Sequence, residues 1–139
     1  MSAAVAEKGK VNVSRLKKLI FSKEDKSAYV ILDGASVEGM LGRLKAAKEE
    51  WACLYRGELE PDLADAAPYL VKLREKSDLT DWILEEGWGN HWGVFVISEA
   101  GLEALRRHLR KFLRVKDPEG NVLYFRYYDP RVLRLYLPT

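Results

Sequence analysis

Few side chains in this 139-residue sequence could carry chemistry: Cys53, His91, His108 and Asp33. A cysteine and a histidine can work as nucleophile and base. Cys53 and His91 would make such a pair, yet the sequence shows no nucleophile elbow and no third orienting residue at a recognisable spacing. A lone cysteine without that setting reads as a small buried hydrophobe. His108 falls between the apolar and basic faces of a helical pattern and reads as a spacer. Two histidines without a CxxC or HExxH pattern give no zinc site. Asp33 and Gly34 follow a strand pattern, at the carboxyl end where open α/β sheets bind ligands. No glycine-rich phosphate loop stands beside them, so they read as a turn. The expectation is a protein that is not an enzyme, with no catalytic residue, no cofactor and no metal.

Binding chemistry is better represented. The run RRHLRKFLRVK (106–116) puts Arg106, Arg107, Arg110, Lys111 and Arg114 on one side of a helix, the electrostatic footprint of a phosphate or acidic partner. Trp82, Trp88 and Trp92 fall within eleven positions in TDWILEEGWGNHWGVF, with Gly89 and Gly93 directly after two of them. Burying an indole contributes on the order of 5 kcal/mol as an upper estimate. That is a large share of a total stability of ~5–15 kcal/mol, so the three tryptophans should be chiefly core, with Trp88 or Trp92 free to serve an interface. In LYFRYYDPR (123–131), Arg126 lies between Tyr124 and Tyr128 on one strand face. Asp129 followed by Pro130 suits the start of a last helical turn, and Arg131 is a candidate partner contact.

These residues need elements to hold them. YVILD (29–33), ACLYR (52–56), YLVKL (69–73) and WGVFVIS (92–98) read as strands, the first and last apolar on both faces and the last the most buried. YLVKL, with one wet end, reads as nearer an edge. Ser36 as N-cap starts a helix with Val37, Met40, Leu41 and Leu44 on one face, and Gly39 and Gly42 in it suggest a close approach. Asp78 caps a short helix. Ser98 caps the longest, Glu99 to Leu113, with Leu102, Leu105, Leu109 and Phe112 in one stripe. A hairpin turns near Asp117–Asn121 and a short helix follows from Arg131 to Leu137. The sum is an α/β fold: a mixed sheet of about five to six strands flanked by helices, ending in a β-hairpin and a short helix.

Residues 1–28 read as a basic N-terminal arm with at most one short helix, Val13 to Phe21, and residues 29–139 as one α/β lobe. One cysteine allows no internal disulfide and fits a reducing compartment. MSAAVAEKGK has no apolar signal-peptide core, and no uncharged stretch approaches the ~20 residues of a membrane span. A cytoplasmic protein is expected. The net charge of +2 averages a +4 segment (1–28), a −8 segment (29–105) and a +6 segment (106–139). Such asymmetry belongs to association. The acidic middle would repel a nucleic-acid backbone, so a nucleic-acid-binding module using the 106–116 helix is the alternative rather than the first reading.

LDGA (32–35), APYLVKL (67–73), WILEEGWGNHWGVF (82–95), LEALRRHLRKFL (102–113) and FRYYDPRVLRLYLPT (125–139), in this order, resemble domain-of-unknown-function family 4123. The resemblance covers about residues 29–139. It implies a bacterial adaptor, or chaperone, of the type VI secretion system that binds a secreted effector and helps load it onto the spike-tip protein. No membrane and no nucleic acid are implied as partners. The matching motif positions are Trp88, Gly89, Trp92, Gly93, Arg126, Asp129, Pro130 and Arg131, and none carries a catalytic role over. The candidate partner contacts are Trp88, Trp92, Arg126, Arg131, Arg106 and Arg110, with Asp33, Gly34, Gly89, Gly93, Asp129 and Pro130 structural. Family members commonly continue into a helical second lobe, whereas this sequence ends at Thr139, so one lobe of that design is expected.

Overall fold

β1 (Ser27–Asp33) is the strand around which the others assemble. The computed structural model describes residues 12–116, 118–124 and 128. β3 (Pro68–Lys72) pairs with one side of β1, Leu32 opposite Tyr69, and β4 (Gly93–Ser98) with the other, Val30 opposite Phe95. β2 (Trp51–Cys53) extends the sheet beyond β3, giving the order β2-β3-β1-β4. Every pairing is antiparallel.

α2 (Met40–Ala46) carries the chain from β1 to β2, and α4 (Asp78–Trp82), prolonged by a π-turn over Ile83–Gly87, carries it from β3 to β4. Each crossover joins two strands that run the same way with an antiparallel strand between them. This is the split βαβ, or ferredoxin-like, arrangement. A short α3 (Pro61–Ala66) lies between β2 and β3, α1 (Val13–Ile20) precedes β1, and α5 (Leu102–Arg110) follows β4. β5 (Arg114–Lys116) and β6 (Val122–Tyr124) pair as a separate ribbon, in the expected hairpin.

The period-2 alternation of β1 and β3 sends side chains into two cores. Val30, Leu32, Tyr69 and Val71 meet Leu16 and Ile20 of α1, Met40 and Leu44 of α2, and Leu79, Ile83 and Leu84 of the α4 segment. Tyr29, Ile31 and Leu70 face the other way, onto Leu105 of α5 with Leu54, Leu113 and Tyr128. The helix expected over Val13–Phe21 is thus docked, with Lys17 paired to Asp81 at 2.5 Å.

Several expectations are corrected. Among the described residues the main sheet has four strands, not five to six, and is antiparallel rather than mixed. Strand–helix alternation suggested parallel neighbours, but the connection through α3 returns β3 between β1 and β2. β4 is an edge strand and mostly half-buried, while β3 is internal. Apolarity on both faces reports what lies above and below a strand, not what lies beside it. Lys72 is wet because it ends β3, where its ammonium reaches Glu50 at 3.8 Å.

The expected caps also move. The Ser36 hydroxyl donates to Asp33 Oδ2 (2.9 Å), so α2 starts instead after Gly39, whose φ of 75° favours glycine. Neither Gly39 nor Gly42 has a neighbour within 4 Å of an added Cβ, so no close approach explains them. Ser77, not Asp78, caps α4, and Ser98 accepts from the Ala100 N–H while α5 begins at Leu102. Phe112 falls past the end of α5 and is 47% exposed, leaving Leu113 to take the buried place. The last helical turn lies outside the described residues. No helix among the described residues is long and apolar enough to cross a membrane.

Candidate functional site

The tryptophan segment is built by its glycines. Gly93 begins β4 so close to β1 that an added Cβ would stand 1.9 Å from the Ile31 carbonyl oxygen. At Gly87 a Cβ would meet the Trp92 ring at 2.7 Å, so the π-turn and the ring share one surface. Between them, Gly89 and His91 both have positive φ, 82° and 59°. The turn brings Trp92 against Trp82 with ring centres 4.7 Å apart, and Trp88 against Phe95 at 5.7 Å. Arg43 of α2 lies over the Trp82 ring at 4.1 Å, a cation–π contact.

Trp82, Trp88 and Trp92 are half-buried and pack on the first core, forming an aromatic shelf at the β4 edge rather than a sealed interior. The cleft beside it, lined by Val30, Leu32, Ile83 and Trp92 among others, has room for about 10 Å³. Small-molecule sites occupy ~300–1,000 Å³, so this cleft is far smaller than a site of that kind.

The chemically capable groups serve the fold. Asp33 is fully buried, and its carboxylate accepts from the Ala35 N–H (3.1 Å) as well as Ser36. Its own N–H donates to the Trp92 carbonyl at 2.7 Å, and that of Gly34 to Ala67 at 2.9 Å, so the turn is stitched to both neighbouring strands. An added Cβ on Gly34 would meet the Asp65 carbonyl oxygen at 2.5 Å. Cys53 lies in β2 and His91 just before β4, at opposite edges of the sheet. Three inter-strand steps of ~4.8 Å separate them by about 14 Å, so they make no catalytic pair. Burial pushes the Cys53 thiol above its ordinary pKa, against the opposing effects of Tyr55, Tyr69 and Arg110. Burial and the neighbouring Cys53 push Tyr69 up to about 12. Among the described residues no group of three or more His, Cys, Asp or Glu could hold a metal ion.

The basic helix divides. Arg110 turns inward, donating from Nε to the Leu54 carbonyl (2.9 Å) and from one terminal nitrogen to those of Cys53 (3.0 Å) and Tyr55 (3.2 Å). Arg106 donates to Glu103 at 2.5 Å. Arg107, His108 and Lys111 remain exposed. Arg126, Asp129, Pro130 and Arg131 lie outside the described residues. Two residues that pattern reading missed are Arg43 and Glu49. Glu49 is a buried carboxylate that accepts from the Ser77 hydroxyl at 2.8 Å, with Arg74 at 3.8 Å. Nothing in its sequence neighbourhood signals this, since the KEE run reads as solvated.

The family model described as Domain of unknown function (DUF4123) matches residues 28–139. The chain belongs to the DUF4123 family. No curated protein and no solved structure matches it. The DUF4123 match takes in the four-stranded sheet from Ala28, the tryptophan shelf and α5, while α1 lies before it.

Proposed function

We propose that this DUF4123 protein is an adaptor of a bacterial type VI secretion system. In the cytoplasm it binds a secreted effector and helps load that effector onto the spike-tip protein, by recognition and without catalysis. The observation that carries the reading is the family match over residues 28–139, together with the role that family resemblance implies. The geometry adds support. Asp33, Cys53 and Arg110, the groups best suited to chemistry, are engaged with the backbone or core, whereas the shelf of Trp82, Trp88 and Trp92 is half-exposed on a rigid sheet edge. Aromatic side chains so placed are common anchors of interfaces.

Co-expression with the products of adjacent genes tests the proposal. An effector or a spike protein should copurify with the chain, and deletion of its gene should stop delivery of that effector. Delivery that survives deletion, with neither protein copurifying, overturns the reading.

A further inference from the structure

α5 and the residues that follow it present two neighbouring rows to solvent. Arg107 and Lys111 are four residues apart on one row, His108 and Phe112 on the next. All four are exposed, Phe112 at 47%, and the His108 and Phe112 rings meet edge to face at 5.1 Å. Neither Arg107 nor Lys111 forms an ion pair among the described residues; the nearby Glu103 is taken by Arg106. The opposite side of this segment is fixed. Leu105 and Leu113 are buried in the second core, and Arg110 holds the C-terminal end of the helix to three carbonyls around the end of β2.

The end of α5 and the residues after it thus expose two cations, with no ion-pair partner among the described residues, beside a large apolar ring, and arginine and aromatic side chains are enriched at interfaces. We infer that Arg107, Lys111 and Phe112 form a docking surface for an acidic protein segment carrying an apolar side chain. The acid groups would face Arg107 and Lys111 while the apolar side chain covers Phe112. Charge complementarity decides the occupant. Two cations and one ring match a short acidic segment in extent, with carboxylates on Arg107 and Lys111 and an apolar side chain on Phe112; a nucleic acid is the other polyanion, which the experiment below distinguishes.

The inference rests on the adaptor reading only for who the partner is, not for its chemistry. It is tested by placing a photo-crosslinking amino acid at position 112 of the full chain in the cells that produce it. One protein should be captured, at a segment of net negative charge containing an apolar residue. The double variant Arg107→Glu, Lys111→Glu should lower the yield by about tenfold or more while thermal unfolding stays unchanged. Leu63, exposed on α3 at 46%, serves as the control position. No adduct, an adduct that survives charge reversal, or capture of a nucleic acid, a non-acidic segment or a second copy of the chain each overturns the surface. Capture of an acidic protein that is neither effector nor spike would keep the surface and count against the adaptor role. An effector or spike complex untouched by the double variant, with no adduct at position 112, would do the reverse.

Discussion

Gly93 and Gly42 make opposite predictions from the same substitution. A methyl group at Gly93 would collide with the Ile31 carbonyl oxygen, which belongs to the central strand and cannot yield without breaking the β1–β4 ladder. Gly93→Ala should lower stability by about 4 kcal/mol or more, near the total for a domain of this size, and leave much of the protein unfolded in the absence of denaturant. Gly42 has open space around it inside α2, so Gly42→Ala should raise the urea midpoint by an amount equal to about 0.5–1 kcal/mol. A titration argument applies to Tyr69. Its pKa is about 12 in the folded protein and ordinary, near 10, when unfolded, so folding favours its neutral form. The stability this contributes is fully present below pH 10 and is lost as pH rises from 10 through 12. Urea titrations across that range should show the loss, and Tyr69→Phe should flatten it. The Gly-Trp-Gly spacing was legible in the sequence as a structural motif. Which atom each glycine makes room for was not, because Ile31 is distant along the chain and meets Gly93 only through strand pairing.

At the level of elements, α1 is the sharpest case. Its apolar spacing is plain in Val13, Leu16, Leu19 and Ile20, and the helix forms where that spacing places it. Whether it docks depends on the groove beside α4, which the sequence does not advertise. Leu16 and Ile20 are buried while Leu19 is 58% exposed. Ile20→Ala should therefore cost about 2–4 kcal/mol, and Leu19→Ala should stay within about 0.5 kcal/mol, both read from thermal unfolding. Equal effects would mean that the helix is not seated as described. The serine caps show the limit of local reading. Ser36, Ser77 and Ser98 are all good N-cap types, yet only Ser77 caps a helix, because Asp33 claims Ser36 and the turn at Ala100 claims Ser98. A cap is decided by competition for one hydroxyl, and the competitors can lie upstream of the helix.

Across the whole molecule, the alternation of strands and helices gave the α/β class, but direction and order in the sheet are set by where α3 turns the chain back. Short connections leave only weak traces of that in composition. The outcome is a sheet with two cores that share β1 and β3: Tyr29 and Ile31 point into one, Val30 and Leu32 into the other. Sharing a strand couples the layers, because neither core can open without exposing a backbone that the other needs paired. Two further ties cross to α5 and its approach: the Tyr29 hydroxyl donates to the Ala100 carbonyl (2.6 Å), and Arg110 holds the chain around the end of β2. The protein should unfold as one unit. Its four tryptophans all pack on the α1–α2–α4 side, so their fluorescence reports one layer, while amide exchange in Leu105–Leu109 reports the other. The two urea midpoints should coincide. In Arg110→Ala, which loses three charge-assisted hydrogen bonds worth about 1.5–3 kcal/mol each in favourable settings, α5 exchange should come to precede the fluorescence transition. Separate midpoints in the unsubstituted protein would show that the layers are independent, and coincident ones in the variant would show that the shared strands alone couple them.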